Sequence, residues 1–152
     1  MPAVTLQPIT TRRVARNVVT LRLGPGQERF VAPNAISMAD AYVEKSWHPL
    51  AVFAGDELVG FVMYGTDVVQ DPEQWWIIRV MIDERFQGCG YGRAATTALV
   101  DLMRERHGCV SIRLGVDPAN QRAIRLYESL GFRDTGEVED DELIMQCGMG
   151  DA

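Results

Sequence analysis

Cysteine is scarce in this chain, and histidine is scarcer. The three cysteines, Cys89, Cys109 and Cys147, are odd in number, widely spaced and without a CxxC pair. That pattern excludes a disulfide framework and a zinc site built on paired thiols, and it sets a reducing, cytoplasmic compartment as the expectation. The two histidines, His48 and His107, form no triad with any residue that the sequence marks as a nucleophile. No apolar run approaches the roughly 18 residues of a membrane span, and the opening "MPAVTLQPITTRRVARNVV" lacks the apolar core of a signal peptide. Positive charge is also short: 15 Lys and Arg stand against 21 Asp and Glu, a net charge of −6. Such a balance argues against affinity for nucleic-acid phosphates and favours cationic partners. Neither a membrane nor a nucleic-acid partner is therefore expected. Repeats, linkers and low-complexity tracts are missing too. With 47% hydrophobic and 24% charged residues, the chain is expected to form one domain over residues 1–152 with a sizeable core.

What is present alternates between strand and helix signals. "VTLQPI" (Val4 to Ile9) alternates as a strand, and "TTRRVARNVVTLRL" places Val14, Val18 and Leu21 at helical spacing after a threonine cap. "SMADAYVEKSW" reads as a second helix, with Ser37 and Asp40 close to a capping box. "LAVFAGDELVGFVMYG" reads as two strands joined across "AGDE". "QWWIIRVMID" suits a buried central strand, and a helix follows from about Tyr91 to His107 with Ala94, Ala98, Leu99, Leu102 and Met103 on one side. After the strand "CVSIRLGV", "DPANQRAIRLYESLGF" is expected to be a helix opened by Asp117 and Pro118 and closed by Gly131. "FRDTGEV" and "DELIMQCG" complete the order β-α-α-β-β-β-α-β-α-β-β, a mixed α/β sheet.

Between the central strand and its helix, "RFQGCGYGRAA" carries Gly88, Gly90 and Gly92 at every second position. Glycine loses more backbone entropy on folding than other residues, about 0.5–1 kcal/mol against alanine, so a cluster needs a local cause. A tight turn is one cause; close approach of a ligand to the backbone is the other. A strand entering such a turn and then a helix presents free N–H groups at the positive end of the helix dipole, which is an anion cradle. Gly90 to Ala95 also satisfies a loose GxGxxA dinucleotide pattern. That fold would need a run of βαβ units, whereas here an antiparallel hairpin comes first and two βα units follow. No GxxxxGK[ST] occurs, which excludes a P-loop.

Gln87-Gly88-Cys89-Gly90-Tyr91-Gly92 fits Q/R-x-x-G-x-G/A, the signature of the GCN5-related N-acetyltransferase (GNAT) family. "WWIIRVMIDERFQGCGYGRAA" resembles that family's acetyl-CoA strand, loop and helix, and "VDPANQRAIRLYESLGFRDTGEV" resembles its next strand, helix and closing strand. With the hairpin, the resemblance covers nearly the whole chain. Within the family, "ERFVAPNAISMADAY" and "RVMIDERFQGCGYG" are similar to the bacterial spermine/spermidine acetyltransferase branch. The resemblance implies a mostly antiparallel central sheet flanked by helices, and transfer of the acetyl group of acetyl-CoA to a primary amine of a small cationic acceptor such as spermidine or spermine. A protein amine, an aminoglycoside-like amine and a coenzyme-sensing module without turnover are the other readings. A homodimer is among the assemblies it allows, and no metal is implied.

Residue by residue, the resemblance implies that amides around Gln87, Gly88, Cys89, Gly90, Tyr91, Gly92 and Arg93 hold the coenzyme pyrophosphate. Val80 and Ile82 would offer main-chain groups to the pantetheine where two central strands splay, and Asn120 would bond the pantetheine or acetyl end. Arg85, Arg93 and Arg125 could neutralise phosphates, with plain surface arginine as the other reading. On periodicity, Tyr127 is a core aromatic beside Ile124 and Leu130; the resemblance makes it the acid for the departing thiolate. Cys89 lies in the loop rather than where an acyl group would be carried, so direct transfer without an acyl-enzyme is expected. An ammonium has no lone pair, and Glu28, Asp83 and Glu142 are unranked bases or water anchors. Glu28, Asp40 and Glu44 could recognise the acceptor, and Trp47, Trp75 and Trp76 could offer cation–π surfaces. Taken singly, each of these six also reads as a solvated carboxylate or a core tryptophan.

Overall fold

The computed structural model describes residues 1–67 and 69–148. Its elements are β1 (Thr5–Pro8), α1 (Arg12–Val19), α2 (Asn34–Val43), β2 (His48–Ala54), β3 (Glu57–Asp67), β4 (Asp71–Ile82), α3 (Tyr91–His107), β5 (Ser111–Val116), α4 (Gln121–Ser129), β6 (Arg133–Glu139) and β7 (Glu142–Gly148), with a 3-10 turn at Glu84–Phe86. The order matches the sequence reading apart from that turn.

Local chemistry sets the element ends. Thr11 caps α1 by accepting a hydrogen bond from the Val14 amide at 3.2 Å. The second helix begins earlier than its Ser37 signal suggests. Pro33 precedes its first residue, Asn34 turns inward to donate to the Val18 carbonyl at 2.9 Å, and Ser37 lies inside the helix, fully buried. The expected capping box is therefore not there: the half-buried Arg79 donates from Nε to the Ser37 hydroxyl instead. In the same way Asp117 and Pro118 form a turn ahead of α4 rather than its first residues. Asp117 accepts from the Ala119 amide at 2.8 Å, and Asn120 is the cap, accepting from Ala123 at 3.3 Å.

The seven strands lie in the order β1-β2-β3-β4-β5-β7-β6. Every neighbouring pair is antiparallel except β4 and β5, which run parallel. Helices cover both faces. On one side Ala95, Leu99 and Met103 of α3, Ala123 and Ile124 of α4 and Phe132 just beyond it pack against Val62, Ile112 and Leu114 of the sheet; on the other, α1 and α2 bring Val18 and Met38 to Ala51, Phe61, Met63 and Met81.

One irregularity positions everything that follows. β4 and β5 are paired only at Trp75↔Ile112, Trp76↔Arg113 and Ile77↔Leu114. Beyond those pairs β4 continues along β3 as far as Ile82, while β5 continues along β7 as far as Val116. The two central strands therefore diverge, and the sheet is split by a wedge-shaped opening.

Candidate active site

The opening holds a cavity of about 560 Å³. Ile77 and Val80 of β4 line it from one side, Leu114, Gly115 and Val116 of β5 from the other, and Asn120, the cap of α4, with Ala123 and Tyr127 of that helix from above. The Asp83 amide bonds the Val59 carbonyl of β3 at 2.9 Å. Main-chain groups alternate in direction along a strand, so those of Ile82 and Val80 face away from β3. The Ile82 carbonyl accepts from Gln87 Nε2 at 2.9 Å, and Val80 points its groups into the opening.

At the far end of β4 the glycine turn is held rigidly from behind. Asp83 is buried; one carboxylate oxygen accepts from the Arg85 amide at 3.0 Å and Arg85 Nε at 2.8 Å, the other from the Arg22 amide at 2.9 Å. Burial pushes the Asp83 carboxyl up, but these bonds and the Arg85 charge outweigh it and hold it below the usual carboxylate range. Gln27 and Gln87 exchange reciprocal amide bonds at 3.1 and 2.9 Å. The Gln87 side chain is thus fully used inside the protein, and so is Asp83, whose commitment to the turn removes it from the candidate bases.

Gly88 and Gly90 have φ of +77° and +87°, the left-handed region where a side chain is strained. Gly92 does not, and a Cβ there would meet Leu126 Cδ2 at an ordinary 3.6 Å. Two of the three glycines are therefore explained by the turn itself. The first helical bond of α3 runs from Ala94 to the Gly90 carbonyl, so the amides of Tyr91, Gly92 and Arg93, with those of Cys89 and Gly90, make no hydrogen bond within the described residues. They fit an anionic group at the helix terminus. Arg93 is exposed and donates to Ser129 Oγ at 2.6 Å; Arg85 and Arg125 are exposed as well.

Tyr127 is half-buried, packed edge to face on Phe132 with ring centroids 5.9 Å apart. Burial, aided by the charge of Glu142, pushes its hydroxyl up to about 12. A phenol kept protonated in this way can donate a proton or a hydrogen bond to a developing thiolate. Facing it is Glu142, the first residue of β7, half-buried and also lining the cavity. Its Oε1 would lie 2.8 Å from a Cβ at Gly115, so the missing side chain on β5 is the space that this carboxylate fills. Burial raises the Glu142 pKa; Arg79 opposes this, while Asp117 and Asp140 add to it.

Glu28 is exposed and does not line the cavity, whereas Glu44, which ends α2, does. Asp40 lies one turn back on α2, where its charge acts on Arg79. Trp47 and Trp76 line the cavity, Trp47 with its Nε1 bonded to the Thr66 carbonyl at 3.1 Å. Trp75 does not: it stacks on His107 at 4.2 Å in a cluster with Tyr64 and His48. Adjacent tryptophans on a strand point to opposite faces, which is why one of the pair serves the cavity and the other the core. Sequence reasoning missed Asp67, Glu139 and Asp140, which also line the cavity, and Arg79. Arg79 had a signal, a lone charge inside the apolar run "WWIIRVMI".

A model described as the acetyltransferase (GNAT) family matches residues 25–132. The chain belongs to that family. Spermine/spermidine N(1)-acetyltransferase of Bacillus subtilis (strain 168) is 31% identical over 126 residues, covering 80% of this chain and 83% of the relative. Mycothiol acetyltransferase of Thermobispora bispora is 34% identical over 137 residues, covering 74% of this chain and 45% of the relative. The solved structure of AAC(6')-Ib in complex with paromomycin and acetyl-CoA superposes with a TM-score of 0.79 at 21% identity, covering 97% of this chain and 94% of that one. This GNAT protein is thus an acetyl-CoA-dependent N-acetyltransferase with the family's mixed, mostly antiparallel sheet. Among its described residues no helix is long and apolar enough to cross a membrane, and no group of three or more His, Cys, Asp or Glu could hold a metal ion.

Proposed function

We propose that the acceptor is a small polycationic amine of the spermidine or spermine type. The observation that carries this reading is the charge of the cavity wall. Glu44, Asp67, Asp117, Glu139, Asp140 and Glu142 line it, against a single lining cation, Arg79, among the described residues. A polycation entering a slot loses hydration, and several carboxylates are needed to compensate. Trp47 and Trp76 add aromatic faces suited to an ammonium. The Bacillus relative is named for the same substrate class.

In this reading the loop amides from Gln87 to Arg93 hold the pyrophosphate, and Val80 pairs with the pantetheine as a strand edge pairs with a peptide. Asn120, whose Oδ1 is engaged in capping α4, has its amide Nδ2 to offer the acetyl end. Glu142 accepts a proton from the acceptor nitrogen as that nitrogen forms its bond to the acetyl carbonyl carbon. The carbon–sulfur bond breaks, and Tyr127 donates its phenolic proton to the departing thiolate. The net products are the N-acetylated amine and the free thiol, with the amine's proton replacing Tyr127's. The test is kcat/KM for spermidine, spermine, a lysine peptide and an aminoglycoside at two salt concentrations. The polyamines should lead, and their advantage should shrink as salt screens the wall. Preference for the peptide or the aminoglycoside, or a salt-insensitive polyamine rate, would count against this acceptor.

A further inference from the structure

Six carboxylates in one cavity create a chemical difficulty for the reaction they serve. A negative wall draws in a polycation, but it also stabilises every ammonium that enters. Attack on a thioester needs one nitrogen without its extra proton, since an ammonium has no lone pair. Something at the inner end of the chamber must work against the carboxylates.

Arg79 is placed to do so. It lies on β4 two residues past Ile77, the last residue paired with β5, at the throat where the strands part, and next to Val80. Its guanidinium is half-buried and fixed by neutral groups: Nε donates to Ser37 Oγ at 3.1 Å and Nη1 to the Ile78 carbonyl at 2.8 Å. It is in no ion pair among the described residues. Asp40 on α2 and Glu142 on β7 are the carboxylates whose fields reach it most strongly. Tyr127 stays protonated, and the other lining acids come from the end of α2, the end of β3, the turn before α4 and the β6–β7 turn. A half-buried arginine normally takes a carboxylate as a bidentate partner. Here two neutral oxygens anchor it instead, which leaves its full positive charge directed at the chamber.

We propose that Arg79 decides which nitrogen of the acceptor reacts: its fixed charge excludes an ammonium from the throat, so the acceptor enters with a neutral amine inward and its charged nitrogens toward Glu139 and Asp140. The inference rests on the polyamine reading above and adds to it a rule for orientation and protonation. A cation close to a bound amine favours the free base, as in other sites where a like charge activates an amine nucleophile.

The experiment compares wild type with Arg79→Gln, Arg79→Met and Arg79→Lys, using spermidine and acetyl-CoA across the pH range, with circular dichroism confirming the fold of each. Gln keeps a donor for Ser37 and Met keeps the chain length, so a packing defect peculiar to one neutral variant is separable from loss of charge. Without the charge, the fully protonated acceptor should bind unproductively, so that kcat and KM fall together, about tenfold at neutral pH. The rise of kcat on the alkaline side, which reports loss of the bound amine's proton and is distinct from the acid limb of Glu142, should move up by about one pH unit, with activity recovering at high pH and Arg79→Lys behaving like wild type. A raised KM with an unmoved kcat limb would show that Arg79 only shapes the wall that binds the acceptor, and would overturn the proposal. If wild type turns over acetyl-CoA with other amines but with no polyamine, the acceptor reading falls first and this inference with it.

Discussion

Changing Gly90 and Gly92 singly to alanine should move stability in opposite directions, although only Tyr91 separates them in the same turn. Gly92 is the second residue of α3 with ordinary helical φ, and its Cβ would point at Leu126 Cδ2, 3.6 Å away. Alanine is the better helix former by about 0.5–1 kcal/mol, and no contact there opposes it. For a protein of this size about 1 kcal/mol moves the melting temperature by roughly 2–4 °C, so Gly92→Ala should melt about 1–4 °C higher. At Gly90, φ is +87° and a Cβ would sit 3.1 Å from Pro2 Cδ. The left-handed region alone costs a residue with a side chain about 1–2 kcal/mol, which lowers the melting temperature by roughly 2–8 °C. Thermal unfolding of the ligand-free proteins reads both. Repeating it with coenzyme A shows whether the turn matters for binding: Gly90→Ala should gain less from the ligand than wild type, because its amides are no longer aimed as before. A Gly92→Ala protein that melts below wild type, or a Gly90→Ala protein that melts above it, would refute this account of the turn.

Tyr127→Phe keeps the ring packed on Phe132 and deletes only the hydroxyl, so kcat should fall about tenfold to a thousandfold with little change in acetyl-CoA affinity; a full rate would leave Tyr127 a packing residue. Glu142→Gln should remove the acid limb of the kcat profile, a limb that in wild type lies above the ordinary glutamate range because burial, Asp117 and Asp140 raise that pKa more than Arg79 lowers it; an unchanged limb would transfer the role to another group. Burial together with the charge of Arg106 lowers the pKa of both His48 and His107, and the charge of His107 lowers that of His48 further. The unfolded chain therefore takes up protons first, and stability should fall as pH drops from about 6.5 through the folded pKa values, with no contribution above that range. His48→Phe, which preserves a ring against Tyr64, should show a shallower acid loss in urea unfolding at pH 7.5 and pH 5, and an identical loss would place its cause elsewhere.

The parts of this protein that were readable from the chain are those whose signals are local. The glycine turn, the helix from Tyr91 to His107 and the hairpin around Gly55 each state their structure within a few residues. Ser37 misled because its hydroxyl oxygen, a cap acceptor on paper, accepts from Arg79, 42 residues away in the chain. Asp83 looked like a base and is a fastener, since nothing in "RVMIDE" shows that the Arg22 amide will reach it. Trp75 and Trp76 were indistinguishable until the register of β4 assigned their faces. Glu139 and Asp140 join the cavity because β7, paired locally with β6, also pairs with the distant β5, a long-range pairing that the hairpin's own residues do not show.

The three pairs that join β4 to β5 also make the sheet a mechanical joint. Everything from β1 to β4 forms one plate, everything from β5 to β6 another, and the strand pairing between them is confined to residues 75–77 and 112–114, with the Gln74 side chain reaching Ser111 beside it. A molecule spanning the wedge would bridge the plates well away from that joint, where leverage is greatest. Acyl donor and acceptor would then stiffen the protein as well as react within it, and amide exchange at Ile112 and Arg113, which do not line the cavity, would slow when the wedge is filled. Turnover would in that case carry a rhythm of tightening and release along the seam, set by the strands rather than by any loop.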